Sequence, residues 1–159
     1  MIVKHSKRKI YLWQILIAES VGALSAFLSR SGMTDYQATV HQPGFTPPPI
    51  LFPIVWTILY ALMGVSAGRI LLADISTVRH RSLNLYVVQL IVNFFWSLIF
   101  FNTRQFGAAL LWIMLLWLLV LAMILNMRKA DYLAGFMQLP YLLWLTFAVL
   151  LNYAVWKLN

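Results

Sequence analysis

The sequence predicts an all-α integral membrane protein, a bundle of five transmembrane helices forming one domain over residues 1–159. Three observations carry that prediction. Hydrophobic residues make up 62% of the chain and charged residues only 10%, whereas a soluble domain carries about 25% charge and needs it to cover an apolar interior. Five apolar runs each come near the roughly 20 residues that cross about 30 Å of hydrocarbon as a helix. Most of the intervals between them are short enough to act only as turns.

The first span is expected over Tyr11–Ser29, behind a basic start at Lys4, Lys7, Arg8 and Lys9. Together with Ala23-Leu24-Ser25 this start mimics a cleavable signal peptide. The apolar run exceeds the about 7–15 residues of a signal core, and Gln14 and Glu19 interrupt it as in a helix packed on protein, so an uncleaved helix is expected. Residues 30–49 follow as a long loop rich in Gly, Pro, Thr and Gln, which reads as a lid. Thr46 is expected to cap the second span, Ile50–Ala73, with Pro47, Pro48 and Pro49 at positions whose N–H groups are not needed and Pro53 kinking the helix further in. The third span is Ser82–Phe101 and the fourth Gly107–Leu125. The fifth, Tyr132–Trp156, contains Pro140, which removes the bond to the Phe136 carbonyl. Both proline sites either open space between helices or act only in packing. The connectors 102–106 and 126–131 turn the chain back, making neighbours antiparallel.

Charge sets the orientation. Lys4, Lys7, Arg8, Lys9, Arg69, Arg79, Arg81, Arg128 and Lys129 fall on one side, against Arg30, Arg104 and Lys157 on the other. The N-terminus is therefore expected in the cytoplasm, with the first loop and the C-terminus outside. A short basic start abutting a hydrophobic helix serves this rule better than it serves nucleic acid, so no nucleic-acid partner is expected. The absence of cysteine excludes disulfides and thiolate chemistry, and His5, His41 and His80 lie too far apart to suggest a metal site.

Polar and aromatic residues recur at helical spacing inside the spans. Gln89, Asn93, Trp96 and Phe100 form one stripe of the third span, and amides in lipid are costly, so they face the bundle. There they either bond a neighbouring helix, the blander reading, or present groups to a ligand. Tyr141, Trp144, Ala148 and Asn152 form a second stripe, with aromatic walls around a small-residue gap suited to a flat guest. In the second span Trp56 and Tyr60 lead into Gly64 and Gly68, which permit close approach of another span or another subunit, as do Gly22 and Ala26 in the first. Trp13, Trp112, Trp117 and Trp156 lack such company, and the outermost of them read as interface anchors. Glu19, a single acid near a span centre, is protonated, paired or wetted by a cavity, and alone it makes no proton relay. Leu151, Tyr153 and Lys157 satisfy a loose pattern proposed for sterol contact, although anchoring of a helix end at the headgroups is the preferred reading.

These segments resemble the translocator protein family, also called the tryptophan-rich sensory protein or peripheral-type benzodiazepine receptor family. Pro43-Gly44-Phe45-Thr46-Pro47-Pro48 is similar to the family's run before its second helix, followed at matching distance by Trp56 and Tyr60. Asn93-Phe94-Phe95-Trp96 with Phe100-Phe101 resembles its third-helix signature. Pro140-Tyr141-Leu142-Leu143-Trp144, Phe147, Leu151-Asn152-Tyr153 and Trp156-Lys157 follow its fifth-helix run. Phe45 stands where the family usually has Trp, and Gln42 where it often has Lys.

The resemblance implies a pocket opening toward the first loop that binds porphyrins and other flat hydrophobic ligands. By residue-by-residue match it would be lined by Trp56, Tyr60, Asn93, Trp96, Trp144, Ala148 and Leu151. It further implies a homodimer in a bacterial cell membrane. The expected function is a receptor or sensor of tetrapyrroles such as protoporphyrin, held by stacking on the indoles with a polar contact from Asn93. The resemblance also raises a chemical role: relatives are reported to degrade protoporphyrin in light and oxygen, which would make Trp56 and Trp144 catalytic with no added cofactor. A porphyrin or sterol transporter is the alternative, although an odd number of spans offers no inverted repeat for alternating access. A scaffold with solid aromatic packing and no cavity is the plainest reading.

Overall fold

The computed structural model describes residues 2–159, with side chains from Ser6 onward, so the side chains of Lys4 and His5 lie outside the described residues. Every regular element among them is helical: α1 (Ile2–Thr39), α2 (Leu51–Leu72), α3 (Thr77–Ser97) ending in a π turn (Leu98–Asn102), α4 (Phe106–Ala130), the short α5 (Tyr132–Phe136) and α6 (Leu139–Leu158). Five segments are long and apolar enough to cross a membrane: Ser6–Thr39, Leu51–Leu72, Thr77–Asn102, Phe106–Ala130 and Tyr132–Leu158. α1 packs chiefly on α2, α3 on α4, and α4 on α6. Met63, Ile70, Ile113, Leu116, Met123 and Leu145 fill the interior. Leu12, Trp13, Leu111 and Leu143 point outward, as lipid-facing side chains do.

The first helix does not stop near Ser29. It continues through Thr39, so the stretch expected to be a loop over 30–49 shrinks to the segment after that helix. Tertiary packing explains the difference: Tyr36 is buried with its ring 5.4 Å from Phe100 and 5.3 Å from Phe101, and Asp35 pairs with Arg104 at 3.4 Å. Thr34 and Thr39 donate back to the carbonyls of Arg30 and Asp35, so polar side chains that suggest a loop are satisfied on the helix itself.

The proline-rich entry to α2 also differs from expectation. Thr46 does not cap the helix; its hydroxyl donates to the Pro43 carbonyl at 2.7 Å and closes a turn. α2 begins only at Leu51, with no side-chain cap. Each proline drives the residue before it away from helical backbone, so three in succession hold the chain out of a helix until they end. Pro53 then falls in the first turn, where a missing N–H costs no helical bond, and the expected kink has no cause. Pro140 produces an outright break. α5 ends at Phe136 and α6 restarts at Leu139, with Pro140 in its first turn. The break is stitched to α2: Gln138 Nε2 donates to the Leu62 carbonyl at 3.2 Å and to Ser66 Oγ at 2.7 Å.

Gly64 and Gly68 serve packing within the chain. A Cβ at Gly64 would lie 2.6 Å from the Ile15 backbone nitrogen, and one at Gly68 would lie 2.6 Å from the Tyr11 ring. Small residues here let α1 and α2 approach backbone to backbone.

At the opposite end from the first loop, Asp131 separates α4 from α5 and accepts from the Ala134 N–H at 2.9 Å. It also pairs with Arg69 at 2.8 Å. Burial pushes the Asp131 carboxyl up, but the Arg69 guanidinium and the Ala134 and Leu133 N–H groups outweigh it and hold it below its ordinary value. A depressed carboxyl stabilises the fold above its unfolded pKa and loses that contribution as pH falls through the folded value. The melting temperature of detergent-solubilised protein is therefore expected to fall as pH drops below about 4, with a contribution of about 1 kcal/mol lost. D131N should lower the neutral-pH melting point and flatten that dependence; an identical acid limb in the variant would exclude this pair as its source.

Candidate functional site

A hollow of about 460 Å³ lies among α1, α2, α3 and α6 beneath the loop that follows α1. This falls in the about 300–1,000 Å³ range of small-molecule sites. Trp56 and Tyr60 line it from α2, Asn93 and Trp96 from α3, and Trp144, Ala148 and Leu151 from α6. All seven expected binding residues thus meet at one cavity. Gln42, Thr46, Pro47 and Pro49 of the loop border it as well. The loop is tied to the last helix by a reciprocal pair, His41 N–H to Asn159 Oδ1 and Asn159 Nδ2 to the His41 carbonyl, both at 3.0 Å.

Each indole on the cavity is held by a different group of rings. Trp56 lies 5.5 Å from Tyr60 and 6.1 Å from Tyr141. Trp96 stacks on Phe100 at 5.2 Å, and Trp144 rests against Phe52 at 5.8 Å and Phe147 at 5.4 Å. Separate anchoring keeps the three indoles around a void instead of collapsed on one another. The solid aromatic interior expected of a pure scaffold is not what these residues build.

The amides divide between structure and site. Gln89 accepts from the Tyr141 hydroxyl at 2.9 Å in the closed interior beside the cavity, so it is an interhelical tie. Asn93 Nδ2 donates to Tyr60 Oη at 3.2 Å on the cavity wall. Asn152 also borders the cavity; its Oδ1 accepts from Trp96 Nε1 at 3.3 Å and its Nδ2 donates to the Phe106 carbonyl at 2.8 Å. The indoles left out of the stripes are likewise accounted for. Trp112 donates to the Val92 carbonyl at 2.7 Å and Trp117 to Thr146 at 2.9 Å, while Trp13 points outward and Trp156 sits 4.9 Å from the Lys157 ammonium.

The sterol-contact trio does not come together. Leu151 faces the cavity, whereas Tyr153 is exposed and Lys157 lies over its ring at 5.8 Å. Steps of two and six residues turn a helix by roughly 200° and 240°, which separates Leu151 from the other two.

Sequence reasoning did not find the contribution of the α1 extension: Met33, Tyr36 and Gln37 line the cavity. The spacing of Met33, Tyr36 and Val40 at steps of three and four is the helical signal that composition masked. The π turn was likewise not foreseen. Its wide winding lets the adjacent residues Phe100 and Phe101 both face the hollow. Glu19, for which a cavity is one of the three settings expected from the sequence, lines it too.

Comparison with known proteins finds similarity along nearly the whole chain. The family model described as TspO/MBR family matches residues 14–157. Protein CrtK of Rhodobacter capsulatus is 37% identical over 139 residues, covering 87% of this chain and 85% of that protein. Tryptophan-rich protein TspO of Chlorobaculum tepidum is 34% identical over 144 residues, covering 88% and 89%. Translocator protein of Bos taurus is 33% identical over 140 residues, covering 87% and 83%. With similarity running from the first span to the last, and a five-span bundle carrying the quoted motifs on its second, third and fifth crossings, the chain belongs to the TspO/MBR family of membrane proteins.

Proposed function

We propose that this protein is a membrane receptor and sensor for flat hydrophobic molecules, tetrapyrroles such as protoporphyrin foremost. The observation that supports it is the hollow itself, bordered by indoles from three helices that are held apart by separate partners. Planar rings stack on such faces, and apolar walls favour their removal from water. The reading places the protein in a bacterial cell membrane with its N-terminus in the cytoplasm and its first loop outside. It includes a homodimer, formed by a surface other than the Gly64 and Gly68 step that α1 covers. Titration of purified protein with protoporphyrin, followed by tryptophan quenching, tests it: saturable one-to-one quenching is expected, and none would remove the proposal. Flux measured in reconstituted vesicles separates the alternative, a porphyrin or sterol transporter, because a receptor carries nothing across.

A second reading adds chemistry at the same site. Trp56 and Trp144 border the cavity, and among the described residues their indole N–H groups make no hydrogen bond, unlike those of Trp96, Trp112 and Trp117. Unengaged indoles beside a bound porphyrin suit light-driven oxidation, in which the porphyrin is photosensitiser and substrate, and dioxygen the oxidant. No cofactor is required. The double variant Trp56→Phe, Trp144→Phe is expected to retain binding within about threefold while porphyrin loss under illumination slows about tenfold or more, a barrier change of about 1.4 kcal/mol. An unchanged rate would leave a receptor without catalytic tryptophans.

A further inference from the structure

We infer that Glu19 makes the floor of the cavity selective for guests that carry a proton-bearing nitrogen at their buried end, an inference that rests on the receptor reading above. The floor is defined by chain direction. α1 rises toward the loop and α2 descends from it, while α3 rises again, so the lining residues farthest from the loop on these helices are Glu19, Tyr60 and Asn93. All three carry polar groups, whereas most of the wall above them is apolar and aromatic.

Among the described residues Glu19 has no ion-pair or hydrogen-bond partner; the two ion pairs are Arg69 with Asp131 and Arg104 with Asp35. A carboxyl at this depth without a partner is costly, and the cost is relieved when a donor enters beside it. Its surroundings reinforce that preference. Ala23 and Ala26 above it on α1 present only methyl groups to the cavity, while Gly22 is covered by the Tyr60 ring. Asn93 gives one of its Nδ2 protons to Tyr60, and its carbonyl oxygen, without a partner among the described residues, stands as a second open acceptor. Glu19 is the one acid among the described lining residues, and no lysine or arginine lines the cavity to offset it. A guest inserting an amine or other N–H group is matched there, and one inserting a carboxylate is repelled. For a guest with an acidic edge the same rule fixes orientation: the acid stays at the mouth, near Gln37, Gln42 and Thr46.

The test uses three planar tricyclic probes of similar size, 9-aminoacridine, 9-methylanthracene and 9-anthracenecarboxylate, measured by equilibrium dialysis against the detergent-solubilised full chain. Wild type is expected to bind the amine about tenfold or more tighter than the methyl compound, the size of one charge-assisted hydrogen bond, and the carboxylate most weakly. Glu19→Gln, close in shape, should erase the amine preference and improve carboxylate binding. Should that variant fail to fold, the order of the three probes on wild type decides alone. Equal affinity for all three, or a preference that survives Glu19→Gln, overturns the role of Glu19 while leaving the cavity a receptor. Failure of every probe and of protoporphyrin to bind overturns both.

Discussion

Ala148→Trp is expected to abolish protoporphyrin binding, weakening it about 100-fold or more, while the protein melts no lower than wild type. Ala148 is buried on α6 one turn beyond Trp144, and its methyl group borders the hollow. An indole there would project into space a guest must occupy, between the walls built by Trp144 and by Trp96. Loss of 100-fold corresponds to about 2.7 kcal/mol, less than the stacking and burial that a tetrapyrrole stands to lose. The fold is spared because the new ring enters an existing void, and filling a void stabilises. Quenching titrations and thermal melts on the same preparation check it. Binding within about threefold of wild type would mean that the guest sits elsewhere and would remove the cavity as its site.

Gly64→Ala carries the largest expected cost in stability. The added methyl would meet Ile15 backbone atoms and the Gln14 carbonyl carbon, the latter at 2.8 Å. Backbone cannot swing aside as a flexible side chain can, so α1 must slide or tilt away from α2. Overpacking of this kind costs about 1–3 kcal/mol. Gly44 supplies the control, since nothing lies within 4 Å of a Cβ built there, and Gly44→Ala should stay within about 0.5 kcal/mol of wild type. Denaturation in mixed micelles measures both. A further expectation separates a packing effect from a general one: moving α1 also moves Glu19, so guest affinity should fall with stability in the Gly64 variant and remain unchanged in the Gly44 variant. Equal stability of the two variants would mean that the α1–α2 approach is not a tight backbone contact.

The spans and the polar and aromatic stripes were legible because membrane burial writes itself directly into composition and spacing. Asn93 and Trp96, or Trp144 and Ala148, lie on one helix face by arithmetic alone, whereas their meeting at one cavity was only implied by the family resemblance and is seen in the packing of the helices. The end of α1 was not legible. Arg30–Thr39 is polar and contains Gly32, local features of a loop, and only the distant partners Phe100, Phe101 and Arg104 make it a helix. The start of α2 was misread for a different reason. Thr46 ahead of prolines looks like a cap, yet consecutive prolines restrict each preceding residue, an effect that cap statistics for isolated helices omit. Leu151, Tyr153 and Lys157 show the limit of a pattern that ignores which way a helix turns, because adjacency along the chain does not make them neighbours on a surface.

The wide turn at Leu98–Asn102 bears on how relatives should be aligned. Such a turn holds one residue more than regular winding needs, so it behaves as an accommodated insertion. Five residues of this winding turn the chain about as far as four of ordinary helix, so deleting one would restore regular pitch and leave the downstream chain in nearly the same direction. Asn102 at its end donates to the Leu28 carbonyl at 3.0 Å and ties the turn to α1. A relative one residue shorter between Asn93 and Phe106 is thus best aligned with its gap inside this turn, where the helix register on either side is kept.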